Sequence, residues 1–312
     1  MIITGKKREP IGNDHFDHTI ELLLLFSRTY SNKIGLMRIA LKIAYIGTGY
    51  HGYQIQPDVP TIEKELFRTL EELKIIADPK SARYTGSGRT DAGVNALGQV
   101  IAFNTDNPKL AIPRVINSKL PPSIWVWSRA EVPDDFDPRR HAVSREYKYF
   151  VCGECLNISL LRKASKLLRG THDFANFSTQ DGDKSTVRTV ERIDIRLEGR
   201  LINLDIKADS FVWHMVRMIV TALRMVGDQT REVEWLKRML HPEEFEEGLE
   251  PAPAYGLLLK NVNYDLDIPW EDDSYAKKVS GQRLHEQFMH YGVMAEIFKE
   301  LKDNMQPPEA CD

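Results

Sequence analysis

The stretch GSGRTDAGV, residues 86–94, places a single carboxylate, Asp91, among glycines and other small residues. A side chain that attacks a substrate must reach it without steric competition, and glycine leaves space around a turn. Arg89 lies two positions earlier and could pair with the carboxylate or enter the space left by a displaced group. A glycine-rich turn with one aspartate is more often structural, so the motif alone leaves both interpretations open.

Tyr147 and Arg217 are two further candidates, far from Asp91 in the sequence. Tyr147 lies in REYKY, where aromatic and charged residues alternate. This pattern is typical of a strand with one core face, and also of a surface that stacks a nucleobase. Arg217 interrupts the apolar run FVWHMVRMIV. It is either an edge residue of a helix or the buried partner of a carboxylate, whereas His214 is better explained by a structural role.

The sequence predicts no metal site and no cofactor. His172 and Asp173 are adjacent, and adjacent side chains rarely bind one ion. Cys152 and Cys155 form a C-x-x-C pair without the second pair of ligands that structural zinc requires. The chain also contains no phosphate-binding G-x-x-x-x-G-K-[ST] loop and no H-E-x-x-H motif, which argues against nucleotide hydrolysis and zinc hydrolysis.

Composition and charge are those of a globular protein that binds no membrane. The 312 residues carry a formal net charge of -3, and no apolar run approaches the ~20 residues of a membrane span. The segment 265–312 carries eleven acids against five Lys and Arg, so the rest of the chain has a net charge of +3. A local basic face is therefore compatible with RNA binding. Three cysteines form no even disulfide framework, which indicates a reducing, cytoplasmic location.

Hydrophobic periodicity predicts the elements that must position these residues. Alternation from Met37 indicates a strand, Thr61 is a plausible cap of an amphipathic helix, and Ser210 is a plausible cap of the helix that carries Arg217. A basic helix is expected at about 158–169, carrying Arg162, Lys163, Lys166 and Arg169. Strand and helix order repeats loosely, which predicts an α+β fold: two pseudo-symmetric halves, each an antiparallel sheet with helices packed on it, and a cleft between them.

Four segments follow from this order. Residues 1–36 are a variable extension and residues 37–142 form an N-terminal half that carries the Asp91 loop. Residues 143–265 form a C-terminal half, and residues 266–312 are an acidic, solvated tail.

Six segments in order resemble the TruA family of tRNA pseudouridine synthases, over roughly residues 38 to 265. They are YIGTGYHGYQIQP, GSGRTDAGVNALGQVIAF, FDPRRHAVSREYKYFV, GTHDFANF, DSFVWHMVRMIVTALRMVG and APAYGLLLKNVNY. The family usually has His where this chain has Asn95, a variation to which we assign no chemical consequence.

The resemblance implies the pseudouridine synthase fold and an isomerase that converts uridine to pseudouridine at positions 38, 39 and 40 of the tRNA anticodon stem-loop. It implies that Asp91 is catalytic, that Arg89 helps to extrude or replace the flipped nucleotide, and that Tyr147 stacks on the target uracil and is a candidate for removing its C5 proton. Arg217 would be the basic partner of Asp91, with Leu257 or Leu259 as an apolar wall. RNA would bind through the cleft and the basic helix. The resemblance further implies a homodimer in which the tRNA contacts both subunits, and an activity without cofactor or metal.

Two other functions remain open on the sequence. A catalytically silent RNA-binding factor could use the same scaffold, although the retained set of Asp91, Tyr147 and Arg217 argues against it. A small-molecule hydrolase could use Asp91, but it leaves the basic helix and Arg89 without a purpose.

Overall fold

The computed structural model describes residues 36–153, 156–179 and 185–305. The predicted N-terminal extension, except Leu36, lies outside the described residues, as do Cys155 and Cys311.

One large sheet runs through the described chain. Its strands are β1 (Met37–Tyr45), β2 (Thr85–Gly86), β3 (Asn95–Thr105), β4 (Ile124–Glu131), β5 (Ala142–Cys152), β6 (Gly170–Asp173), β7 (Val187–Glu198), β8 (Leu201–Ala208), β9 (Leu257–Tyr264) and β10 (Glu271–Asp272). Across the sheet the order is β10-β4-β1-β3-β9-β5-β8-β7-β6, and β2 pairs with β3. Only the β3–β9 pairing is parallel among the described strands, so the predicted α+β class with an antiparallel-dominated sheet is confirmed.

Six helices accompany the sheet in the described residues. They are α1 (Ile62–Glu72), α2 (Pro113–Asn117), α3 (Ile158–Leu167), α4 (Met215–Gly227), α5 (Val233–Arg238) and α6 (Ser274–Met305). None of them is long and apolar enough to cross a membrane.

The N-terminal half packs α1 and α2 against β1, β3 and β4. Alternate residues of β1, including Ile39 and Leu41, point into this core and meet Leu66 and Leu70 of α1, all fully buried. Each such side chain contributes roughly 1.5–3 kcal/mol by leaving water. Helix α1 begins as predicted, because the Thr61 hydroxyl accepts the backbone N–H of Lys64 at 3.3 Å and satisfies a first-turn donor.

The C-terminal half has a core of its own, formed by α3, α4 and α5 against β5, β7 and β8. Strands β7 and β8 form a hairpin, which the two alternating runs around Glu198, Gly199 and Arg200 indicate, and the chain turns at Gly199 with φ +61°. The predicted basic helix is α3, whose Leu161 and Ala164 are buried while Arg162 and Lys163 are exposed. Each half therefore places its helices on its own part of the shared sheet.

The two halves meet where β3 and β9 run parallel, with Asn95 opposite Leu258 and Ala96 opposite Leu259. Strand β9 supplies both cores, because Leu257 belongs to the C-terminal core and Leu259 to the N-terminal core. Tyr147 of β5 packs against both cores as well. The functional candidates are thus brought to the line along which the two halves join.

The last helix is a feature that the sequence analysis did not predict. Helix α6 occupies much of the acidic tail and is 32 residues long. Its start is tied to the N-terminal half by Asp273, which pairs with Arg114 at 3.4 Å, and Glu296 pairs with Arg200 of the β7–β8 turn at 3.6 Å. Most of its surface is exposed, which agrees with the solvated tail that composition predicts.

Candidate active site

The backbone that leads into Asp91 is held in place by hydrogen bonds to buried side chains and strands. Thr90 is buried, its hydroxyl pairs with the Tyr45 hydroxyl at 2.8 Å, and its carbonyl accepts the Tyr53 N–H at 3.0 Å. Gln99, fully buried in β3, donates to the carbonyl of Gly88 at 2.8 Å. The glycine-rich sequence suggests a flexible turn, but these bonds give Asp91 a defined position.

Two glycines of this loop have specific structural reasons. Gly93 has φ +79°, a left-handed conformation that other residues adopt at a cost in strain. A Cβ on Gly86 would lie 2.8 Å from the Tyr53 hydroxyl, so this glycine is required by packing. Only Gly88 has open space around it, as expected of a residue that leaves room for a substrate.

The Asp91 carboxylate has a different partner on each oxygen. Arg217 Nη1 donates to Oδ2 at 3.0 Å, and the Trp213 indole N–H donates to Oδ1 at 3.1 Å. His214 Nε2 lies 3.4 Å from Oδ2. The predicted pairing of Asp91 with Arg217, which are 126 positions apart, is therefore present in the fold.

Arg217 is rigidly held as well. Its Nε donates to the Ala252 carbonyl at 2.6 Å, and the Ala252 N–H donates back to the Arg217 carbonyl at 3.2 Å. The Arg217 side chain is only 14% exposed, which reduces the screening of its charge by water and salt. The guanidinium thus presents one donor to Asp91 from a fixed direction, as lysine would not.

The start of α4 differs from the prediction. Ser210 is not its cap: the helix begins at Met215, and His214 at the cap position has φ +66°, an uncommon left-handed conformation. The Asp209 carboxylate accepts the Ser210 N–H, which keeps this segment in a turn. Phe211, Val212 and Trp213 therefore form a loop that lines the site.

His214 lies closer to the chemistry than its sequence context indicates. Burial lowers the pKa of His214, with Asp91 opposing the change and Arg217 adding to it. The imidazole is therefore neutral near pH 7. Its Nδ1 is 2.8 Å from the Thr179 hydroxyl, which leaves Nε2 on the side of Asp91.

Tyr147 presents its ring to the same space and is partly buried between the two cores. Its ring meets Phe211 edge to face, with centroids 5.1 Å apart. Burial raises the pKa of Tyr147 to about 12, and the nearby Asp91 carboxylate adds to the effect. The phenol therefore keeps its proton at neutral pH.

All six residues singled out on the sequence line one cavity of about 930 Å³. They are Arg89, Asp91, Tyr147, Arg217, Leu257 and Leu259. Both leucines lie in its wall, although the sequence left the choice between them open. Residues of both halves line the cavity, which places it at the predicted cleft.

The cavity is rich in arginine. Arg89 is exposed there, and Arg139, Arg145 and Arg188 also line it. Arg145 donates to the carbonyls of Arg139 and Asp209 at 2.9 and 3.0 Å, so it also joins the surrounding loops. No residue of the basic helix α3 is among the residues that line the cavity. The positive charges nearest Asp91 therefore belong to arginines that line the cavity and not to residues of α3.

Sequence reasoning did not identify Trp213 as a functional residue. Helical periodicity placed it inside a helix, and nothing in the pattern signalled that the helix would begin two residues later. The only signal for a functional role of Trp213 was its position next to His214, a polar residue that interrupts an apolar run.

The described residues contain no cluster of three or more His, Cys, Asp or Glu side chains that could hold a metal ion. Cys152 is a free, exposed thiol, and its C-x-x-C neighbour lies outside the described residues.

Comparison with known proteins identifies close relatives. The family model described as tRNA pseudouridine synthase matches residues 164–265. The tRNA pseudouridine synthase A of Methanosarcina mazei is 59% identical over 265 residues, which cover 85% of this chain and 98% of the relative. The protein of the same name from Archaeoglobus fulgidus is 43% identical over 264 residues, covering 84% and 97%.

Among solved structures, a chain of a Cbf5-Nop10-Gar1 complex aligns with 60% of this chain and 54% of its own length. The TM-score is 0.30 and the identity 12%, a likeness too weak to support an argument.

Proposed function

This chain belongs to the tRNA pseudouridine synthase A family, and we propose that it isomerises uridine to pseudouridine in the anticodon stem-loop of tRNA, with Asp91 as the catalytic residue. The observation that carries the proposal is the Asp91 carboxylate, which Arg217 and Trp213 hold at the wall of an arginine-lined cavity. In line with the family resemblance, the modified positions are 38, 39 and 40.

The reaction is an isomerisation, so the product contains the same atoms as the substrate and only the bond between base and sugar changes. The N1–C1′ bond of uridine breaks, the uracil turns, and C5 joins C1′ while the C5 proton leaves and N1 gains a proton. Asp91 serves this sequence as a nucleophile or a base on the nucleoside. Arg217 pairs with the carboxylate and orients it, since the two side chains are partly buried and lie 3.0 Å apart.

Access to the uridine requires base flipping. A base inside a stem cannot reach Asp91, and extruding it costs a few kcal/mol of unstacking. Arg89 is exposed at the cavity on the Asp91 loop and takes the vacated position in the RNA. Tyr147 stacks on the extruded uracil and keeps it close while it turns, against the wall formed by Leu257 and Leu259.

The RNA backbone is held by arginines of the cavity and by the exposed basic residues of α3. Such contacts read the shape and the phosphates of RNA more than its base edges. Binding should therefore weaken steeply with salt. The RNA enters between the two halves, residues 37–142 and residues 143–265, so each half contacts the substrate from one side. We place the reaction in the cytoplasm, where the three cysteines stay reduced.

A homodimer is part of the proposal, and α6 is its best-supported interface. Ten large hydrophobic side chains of α6 are exposed, and five of them recur at spacings of four, three, seven and seven residues: Leu284, Phe288, Tyr291, Phe298 and Met305. This spacing is typical of a helix that packs against another helix. The first half of α6 carries three Lys and Arg against one Glu, and the second half three acids against two Lys. A second copy of α6 in antiparallel orientation matches both patterns.

The central test incubates the protein with an unmodified tRNA transcript and measures pseudouridine in the anticodon arm. We expect product with the wild type and none with Asp91→Ala, which should still bind the tRNA. Asp265→Ala, the same exchange at an exposed aspartate that does not line the cavity, is the matched control and should retain turnover.

Absence of product with the wild type, or undiminished product with Asp91→Ala, would contradict the proposal. Salt-sensitive tRNA binding without any turnover would instead favour the silent RNA-binding factor. Absence of salt-sensitive binding would favour a small-molecule hydrolase.

A further inference from the structure

Trp213 is an exposed aromatic residue beside the Asp91 carboxylate. It lies in the loop before α4, lines the cavity and is 50% exposed. Its indole N–H donates to Asp91 Oδ1 at 3.1 Å. The N–H is the only polar group of the indole, and it binds the carboxylate on which the proposed chemistry depends.

The hydrogen bond from Trp213 has an orienting effect that Arg217 alone does not supply. Arg217 and His214 both approach Oδ2, and the Trp213 donor on Oδ1 adds a second restraint, on the other oxygen, against rotation of the carboxylate about its Cβ–Cγ bond. Because the indole N–H is neutral, it orients Asp91 without adding charge.

The ring of Trp213 has a second property. One side lies against His214, with ring centroids 4.7 Å apart and planes tilted by 34°. Half of the side chain remains in contact with solvent, although burying so large a ring would stabilise the fold. An aromatic ring held rigidly by a hydrogen bond and left open to an arginine-lined cavity suits the stacking of a nucleobase.

We infer that Trp213 forms a nucleobase-stacking subsite of the cavity and positions Asp91 through its indole N–H. The inference rests on the proposed function, in which Tyr147 holds the target uracil. The ligand of Trp213 is a second base of the same RNA strand, one that flanks the target. Its binding against the indole would couple correct placement of the strand to the orientation of Asp91.

Two substitutions separate the two roles. Trp213→Phe keeps an aromatic ring but removes the donor, so we expect kcat to fall about tenfold while KM for tRNA changes less than twofold. Trp213→Gln keeps an N–H donor but removes the ring, so we expect KM to rise about tenfold with a smaller loss in kcat. Trp213→Ala should combine both losses.

A matched control and an independent readout complete the test. Trp270→Phe changes a tryptophan that does not line the cavity and should leave both constants unchanged. Melting temperatures of all variants should lie within about 2 °C of the wild type, which separates these effects from unfolding. Quenching of tryptophan fluorescence by unmodified tRNA transcript should be smaller in Trp213→Phe than in the wild type.

Several results would overturn the inference. One is a Trp213→Ala variant with the kcat and KM of the wild type. Another is an equal loss of kcat and an equal rise of KM in Trp213→Phe and Trp213→Gln, accompanied by a lower melting temperature. If the wild type forms no pseudouridine, the proposed function fails by itself. The subsite is then judged by binding alone: tRNA affinity in the Asp91→Ala background must fall about tenfold on adding Trp213→Ala and less than twofold on adding Trp213→Phe.

Discussion

Asp91 gains its properties from residues that hold it rather than from the loop that carries it. One oxygen meets Arg217 at 3.0 Å and the other meets the indole of Trp213 at 3.1 Å. The bonds of Thr90 to Tyr45 and of Gln99 to the Gly88 carbonyl fix the backbone just before Asp91. A carboxylate held in this way loses little freedom when a substrate arrives, and this preorganisation is what lowers a barrier.

Tyr147 leads to a prediction about pH. Burial and Asp91 raise its pKa to about 12, so the phenol stays protonated over a wider range than an exposed tyrosine. We expect kcat/KM to show no decline from the ionisation of Tyr147 between pH 7 and about 10. Pseudouridine formation measured across this range checks it.

The variant Tyr147→Phe is the control for that profile. A decline with an apparent pKa near 10 that disappears in Tyr147→Phe would contradict the prediction. If a phenolate were the active base, kcat would instead rise with pH across this range, and the rise would be absent in the variant.

The junction of β3 and β9 determines whether the two halves of the site meet correctly. Asn95, at the start of β3, donates through Nδ2 to the carbonyls of Tyr255 and Leu257 at 2.9 and 3.2 Å. Its Oδ1 accepts the Gly47 N–H at 3.0 Å. The sequence assigned no chemical step to this position, and the structure shows a single amide that connects three segments around the cavity.

Removing this amide should loosen the junction. We expect Asn95→Ala to lower the free energy of unfolding by about 1–3 kcal/mol, because the backbone groups lose their partner. The melting temperature should fall by roughly 2–8 °C, and kcat should fall with it. Thermal unfolding and pseudouridine assays on the same preparation provide the measurement.

Asn304→Ala serves as the comparison for Asn95→Ala. Its amide donates only within its own helix turn, to the carbonyl and side chain of Glu300, and it is exposed. This variant should change the melting temperature by less than 1 °C. Equal effects of the two substitutions would show that the Asn95 contacts do not hold the halves together.

At the scale of the whole fold, the described residues form two helix-covered cores on one continuous sheet, with the cavity along the line between them. Helix α6 stands apart from both cores and exposes large apolar side chains on most of its length. Exposed apolar surface of this extent on one helix marks an interaction site, so a partner surface is expected.

The proposed antiparallel pairing of α6 predicts a dimer that exposed-face substitutions can dissociate. We expect the wild type to have twice its monomer mass in light scattering at micromolar concentration. Phe288→Asp combined with Phe298→Asp should give a monomer, because charge would be buried in an apolar contact. Gln282→Asp combined with His285→Asp, on the opposite side of the helix, should remain dimeric.

A wild-type monomer would contradict the homodimer, and a dimeric Phe288→Asp, Phe298→Asp variant would contradict this interface alone. A chain starting at Met37 should remain dimeric. Dissociation on that truncation would instead assign the interface to the N-terminal segment. None of these outcomes bears on the Asp91 assay.

How far the sequence predicts this protein depends on the range over which its signals act. Alternation and helical spacing depend on neighbouring residues, so β1, α1 and the β7–β8 hairpin follow directly from the pattern. Helix α6 was missed because its apolar residues are interspersed with charged and polar ones, so the helix as a whole has little amphipathic character. The late start of α4 was missed because the Asp209 turn outweighs the helical pattern of the next residues.

By itself, the sequence determined the class of fold, the family resemblance and a set of six residues for the site. These conclusions depend on residue types and on local periodicity, and both can be read directly from the order of the residues. Only the tertiary structure decided that Trp213 contacts Asp91, that both Leu257 and Leu259 form the wall, and that Asn95 ties the halves together. Contacts between residues more than a hundred positions apart depend on strand order and register, and no local pattern encodes these.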